Sequence, residues 1–245
     1  MLNTMRTDAA TDGASLKIEG LSARYGKRVV LCDIDLDVGA GEIVAVLGHN
    51  GAGKTTLLQS IMGIHGERNG RIECFGADIS RRPYHLNAAN GISFTPADAP
   101  VFRPLTVEAN LRLGTYATAP ADIEDRLAGV YATFPKLKER RLQAAGTLSG
   151  GEQRMLAVSM AVMNRPRLML LDEPSIGLAP ATADRIMSEI AAISKASGTS
   201  VLIVDQNVRS ALRISSRVYF IRMGRIILEE PAAASAKREH YWDLF

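Results

Sequence analysis

The chain has 245 residues, 47% of them hydrophobic and 22% charged, with a formal net charge of +3. That is enough apolar content for one large α/β domain or two small ones, and too little positive charge for the basic stripe that nucleic-acid binding requires. Cys32 and Cys74 are the only cysteines; without metal-ligand spacing or numbers for a disulfide framework, they read as reduced, buried thiols of a cytosolic protein.

Residues 1–15 are polar, lack the apolar stretch of a signal peptide and are expected to form a weakly ordered tail before a single domain over 16–245. No run of about 18 apolar residues is present to span a bilayer, so a membrane role would need docking onto spanning partners. From Leu16 onward, short β-rich runs alternate with helical stretches, the pattern of an α/β fold. Cys32, Ile34, Leu36 and Val38 alternate with Asp33, Asp35 and Asp37, which predicts a half-buried strand with one acidic face. Such a face is ordinarily solvated, although three carboxylates on one side have the chemistry to hold a cation.

The runs 43–47, 168–171 and 201–204 are apolar on both sides and fit parallel strands buried between helices. Strand signals vanish over 106–146, which suggests a helical insertion. Ile186, Met187, Ile190 and Ile193 follow Pro180 at helical spacing and mark a core-facing helix. Residues 219–222 and 225–228 flank Met223-Gly224 as a hairpin.

Gly48-His49-Asn50-Gly51-Ala52-Gly53-Lys54-Thr55 matches G-x-x-x-x-G-K-[ST], after the apolar strand 42–47 and before a helical stretch opening at Thr56. Glycines let the backbone wrap phosphate oxygens with inward N–H groups, and the helix adds its positive end. Lys54 is expected to reach the β- and γ-phosphates and Thr55 to hold Mg²⁺. The pattern arises by chance in about 1% of chains this long, and the flanking strand and helix lower that further. The apolar run 168–171 ends in Asp172-Glu173, delivering two carboxylates to the edge where α/β sheets bind ligands. Asp172 is the expected Mg²⁺ partner, and Glu173 the group that orients and deprotonates a water.

Leu148-Ser149-Gly150-Gly151-Glu152-Gln153 precedes that strand. Ser149 and Glu152 have the spacing of a helix capping box, and the glycines leave bare N–H groups at a helix start. The hexapeptide resembles the signature motif of ABC ATPases, and its place between the P-loop and Asp172-Glu173 is that family's order. The resemblance covers 16 to about 228. It implies a P-loop NTPase (RecA-like) α/β core with an antiparallel β subdomain and a helical insertion over about 97–165. It also implies ATP and Mg²⁺ as cofactors. In this family the signature of one subunit closes over ATP held by its partner's P-loop. That places Ser149 and Gly151 at the γ-phosphate across a dimer interface, with Gly150 and Glu152 beside them among the nucleotide-binding residues, Tyr25 on adenine, and 175–180 in a loop linking the two sites.

Phe134-Pro135-Lys136-Leu137-Lys138-Glu139-Arg140-Arg141, Gly146-Thr147 and Gly177-Leu178-Ala179-Pro180 are similar to ATP-binding subunits of branched-chain amino-acid importers. By composition alone, 136–141 is a solvated helix face. In that subgroup Gln206 stands where a histidine is usual; it can hydrogen-bond a γ-phosphate but carries no proton. The implied assembly joins this chain to a second ATPase subunit or a second copy, to transmembrane permease subunits and, indirectly, to a solute-binding protein. It would sit at the cytoplasmic face of the cell membrane and import branched-chain amino acids or similar small polar solutes; nucleic acid is not an expected partner. One departure stands out: Ala97 occupies the position of a Gln or Glu that senses Mg²⁺ and the lytic water. Two other functions stay open on the same fold, a soluble ABC-type ATPase outside transport and a weakly hydrolysing gating partner.

Overall fold

Alternating apolar residues build the first sheet of the protein, whose computed structural model describes residues 13–98, 101–115 and 120–238. Strands β1 (Ala14–Tyr25) and β2 (Arg28–Gly39) pair antiparallel, and β4 (Arg68–Cys74) and β5 (Ala77–Asp78) extend the sheet in the order β2-β1-β4-β5. The first strand begins at Ala14, so Ser15 belongs to the sheet and not to a tail: its hydroxyl lies 2.7 Å from that of Ser200. Residues 1–12 of the expected tail lie outside the described residues.

The predicted acidic face is present. Ile34, Leu36 and Val38 point inward while Asp33 and Asp35 are exposed, and Asp37 is held 2.7 Å from the Arg217 guanidinium. Cys32 departs from the expectation. A bulge with Asp33 at φ 56° shifts the register, Leu31 takes the inward place, and Cys32 is only half-buried. Cys74 is fully buried and donates to the Ser15 carbonyl at 3.0 Å, and burial pushes its thiol up to about 12. A thiol held protonated and shielded does not react. A chromogenic disulfide reagent near neutral pH is therefore expected to modify one cysteine in the native chain and two after denaturation.

The second sheet comprises β3 (Ile43–Leu47), β6 (Ile92–Thr95), β7 (Leu168–Asp172), β8 (Ser200–Asp205), β9 (Arg217–Arg222) and β10 (Arg225–Pro231), in the order β10-β9-β3-β8-β7-β6. All its pairings are parallel except β9 with β10. The apolar runs sit at its centre, where helices cover both faces. Helix α1 (Lys54–Met62) lies between the sheets and buries Leu57, Leu58 and Ile61 against Ile18, Ile34 and Val46. A short α2 (Tyr84–Ala89) follows.

Between β6 and β7 the chain is helical, as expected: α3 (Val107–Leu113), α4 (Ile123–Thr133), α5 (Pro135–Glu139) and α6 (Gly150–Val162). In α5 the basic side chains ride on one apolar anchor, the fully buried Leu137. Helix α7 (Pro180–Ser197) buries the four predicted residues Ile186, Met187, Ile190 and Ile193, and packs with α6 against Met169, Leu171, Val201 and Ile203. The short α8 (Val208–Leu212) packs on β3 and β8, and α9 (Ala232–Ser235) on β9 and β10.

The predicted hairpin closes with Met223 at φ 48° and Gly224 at φ 75°, the left-handed pair that a two-residue turn needs to match strand twist. Gly224 donates to the Ala52 carbonyl at 3.0 Å and accepts from the Cys32 N–H at 2.8 Å. A Cβ there would lie 2.0 Å from the Val30 carbonyl oxygen, so only glycine fits. None of the helices among the described residues is long and apolar enough to cross a membrane.

Candidate functional site

The site lies at the carboxyl ends of β3, β7 and β8, where the parallel strands run out and polar side chains become affordable. Strand β3 is buried at every position up to Leu47, and the chain then turns through 48–53 into α1. The turn depends on Gly53, whose φ of 106° favours glycine and whose Cβ would lie 2.7 Å from Leu31 Cδ2. Lys54 curls back over the loop and donates to the carbonyls of Gly48 at 2.8 Å and His49 at 3.1 Å. The same ammonium lies 3.1 Å from Glu173 Oε1, an ion pair almost closed to solvent.

Glu173 is placed by an unusual backbone. Its φ is 45°, left-handed for a non-glycine residue, and its N–H donates to Val204 O at 2.8 Å. Such geometry is sparsely populated and concentrates where a fold holds a functional group in place. Asp172, the last residue of β7, is 1% exposed and neither carboxylate oxygen has a hydrogen-bond partner. Burial raises its pKa and the neighbouring Glu173 adds to the rise, while Thr55 and Lys54 oppose it. Thr55 is exposed on the first turn of α1 beside it, without a hydrogen bond of full geometry to either oxygen.

Asp205 ends β8, fully buried, and accepts from the Gln206 N–H at 2.7 Å, the Asn207 N–H at 2.8 Å and the Ser175 hydroxyl at 2.8 Å. Burial raises its pKa against those three donors. The Asp205–Ser175 bond locks the loop after Glu173 to the end of β8. The Gln206 side chain is exposed at the same edge.

Sequence reasoning missed Arg154. This residue of α6 is 8% exposed; Nη1 donates to the Ala97 carbonyl and Nη2 reaches Ile176 O at 3.5 Å. Burial lowers its pKa, while Asp205, Asp98, Glu173 and Asp172 hold the guanidinium charged. One cation thus joins the segment carrying Ala97 to the loop after Glu173. Its only sequence signal was a charge on a helix turn whose neighbours Met155 and Leu156 are core residues.

The other expected residues lie where the elements carry them. Ser149 caps α6 in the predicted capping box: its N–H donates to Glu152 Oε2 at 3.0 Å and its hydroxyl accepts from the Glu152 N–H at 3.4 Å. Burial would raise the Glu152 pKa, but the Ser149 donors and Arg140 outweigh it and the carboxyl sits below its ordinary value. Gly150 faces open space, and Gly151 packs close to Thr182 of α7. Tyr25 is half-exposed at the end of β1, its ring 4.4 Å from the His65 ring and its hydroxyl donating to Gln59 of α1 at 3.2 Å. His49, Asn50, Gly51, Ala52 and Thr56 complete the loop and the first turn of α1.

The ABC transporter family model matches residues 31–176. The high-affinity branched-chain amino acid transport ATP-binding protein BraG of Pseudomonas aeruginosa is 41% identical over 89% of this chain and 94% of its own length. The probable branched-chain amino acid transport ATP-binding protein LivF of Archaeoglobus fulgidus is 35% identical over 92% of this chain and 96% of its own. The lipopolysaccharide export system ATP-binding protein LptB of Escherichia coli is also 35% identical, over 93% and 95%. Among solved structures, CbiO1 of Clostridium perfringens, part of the ABC transporter complex CbiONQ, superposes with a TM-score of 0.83 at 25% identity over 93% of each chain. A loop that can wrap phosphates, two carboxylates facing it, a capped signature helix and this likeness across the chain agree: the protein belongs to the ABC transporter family, as an ATP-binding and ATP-hydrolysing subunit.

Proposed function

We propose that this chain powers import of branched-chain amino acids, paired with a second ATPase subunit on permease subunits at the cytoplasmic face of the cell membrane. The observation that carries the cargo is the likeness to BraG along nearly the whole of both chains. A solute-binding protein outside the permease would complete the assembly.

Within the site, the N–H groups of 48–55 and the Lys54 ammonium hold the phosphates, and Tyr25 stacks on the adenine. Glu173 takes the proton of the attacking water, and Gln206 donates to the γ-phosphate. Ser149, Gly150, Gly151 and Glu152 serve the partner's nucleotide; the capping box stiffens that segment while Gly150 stays open to an approaching subunit. A divalent cation fits beside Thr55, because the buried Asp172 carboxylate has two oxygens and no hydrogen-bond partner. Mg²⁺ bound there would neutralise charge on the phosphates.

Asp172→Asn removes a buried carboxylate whose two oxygens have no hydrogen-bond partner. Asp172→Asn is expected to raise the melting temperature of the nucleotide-free chain by a few degrees, at roughly 2–4 °C per kcal/mol for a chain this size. The same variant should bind ATP with little gain from added Mg²⁺. A lower melting temperature, or an undiminished Mg²⁺ effect, would contradict the assignment.

The function is tested by uptake. Cells of the native host lacking the gene should lose low-concentration uptake of labelled leucine, isoleucine and valine. The intact gene should restore it and Lys54→Ala should not. Normal uptake in the deletion strain would refute the cargo, and rescue by Lys54→Ala would refute the role of this ATP site.

A further inference from the structure

A cavity of about 640 Å³ opens away from the nucleotide site, where α4, the α6–β7 connection, the end of α7 and the first sheet meet. Its charged lining is lopsided: Arg126, Arg165 and Arg167 face a single acid, Asp125. None of the three arginines forms an ion pair among the described residues. Arg126 donates from Nη1 to the Met163 carbonyl at 2.8 Å, while its Nε is shut from solvent without an acceptor. Arg167 lays its guanidinium over the Phe75 ring, 3.7 Å from the centroid. The remaining wall is largely apolar, with Val130, Phe134, Val162 and Ile193.

We propose that this cavity binds a small organic carboxylate with a branched or aromatic apolar body. Guanidinium groups are planar forks that match a carboxylate, and Arg165 and Arg167 hold theirs at exposed positions of the wall. An inorganic anion would use the arginines but leave the apolar wall bare, and the volume has room for a body of several carbons. The occupant would touch α4 on one side and the turn from α7 into β8 on the other. It would therefore bridge the helical segment and the parallel sheet, independently of what the transporter carries.

The test is calorimetric titration of the purified full-length chain with 4-methyl-2-oxopentanoate, acetate and inorganic phosphate. Saturable binding of the first is expected, with the other two at least about tenfold weaker. Arg126→Gln should weaken it about tenfold, as should Arg165→Gln, whose side chain is exposed. Gly129→Leu adds bulk at the cavity wall where a Cβ meets nothing within 4 Å, and should block binding without strain. ATP affinity, measured on each variant, should stay within about twofold of the parent. Absence of saturable binding overturns the proposal, as does equal binding of acetate and phosphate. Undiminished binding in variants that still take up ATP also overturns it.

Discussion

Glu173→Gln is expected to lower ATP turnover about 10²–10⁴-fold, the range lost when a positioned general base is removed. The substitution keeps the shape of the side chain and its left-handed backbone but removes the charge that can accept a proton. The same charge lies 3.1 Å from Lys54, so it competes with phosphates for the ammonium. The amide competes less well for Lys54. Nucleotide affinity should therefore rise while turnover collapses, a split that simple loss of folding cannot produce. Phosphate release and equilibrium ATP binding on the same preparation would show it; turnover within a few-fold of the parent would remove Glu173 from the chemistry.

Arg154→Gln should have the second largest effect. The guanidinium is nearly closed to solvent, bonds two backbone carbonyls and is the counter-charge to Asp205, Asp98, Glu173 and Asp172. Removing one partner from a buried charged group costs about 3–5 kcal/mol, equivalent here to a fall in melting temperature of roughly 6–20 °C. Turnover should also fall about 10²-fold, because the segment carrying Ala97 loses its tie to the loop after Glu173. Arg154→Lys keeps the charge but cannot span both carbonyls, so it should recover much of the stability and little of the turnover. A melting curve and a turnover rate unchanged in Arg154→Gln would show that neither loop depends on it.

What could be read from the residues was what local spacing dictates. The phosphate loop was legible because its glycines, lysine and threonine sit at fixed offsets within one turn. Ser149 and Glu152 were legible because a capping box spans three residues, and Met223-Gly224 because a two-residue turn demands positive φ. The buried face of α7 followed from its period. Pairings made across the fold were not legible. Lys54 with Glu173, Ser175 with Asp205, and Arg154 with the carbonyls of Ala97 and Ile176 join residues far apart in the chain, and no periodicity encodes them. The half-buried Cys32 was misread because a bulge at Asp33 breaks the alternation on which the reading relied. Ala97 marked a missing side chain, whereas the fold uses the backbone carbonyl at that position.

The hairpin at Met223-Gly224 sets an order of assembly. Strand β3, which carries the phosphate loop, is flanked by β8 and β9, and Gly224 closes the loop from beneath through Ala52. All three supports are translated after residue 199, long after Lys54 itself. At ordinary rates of synthesis the gap between Lys54 and Gly224 amounts to roughly 10–30 s. Through that interval the emerging chain carries its ATP motif without the neighbours that shape it. Ribosome-bound chains halted before residue 217 should therefore ignore ATP, and the ability to hold nucleotide should appear abruptly once the last hairpin has left the exit tunnel. ATP binding would then report a finished domain.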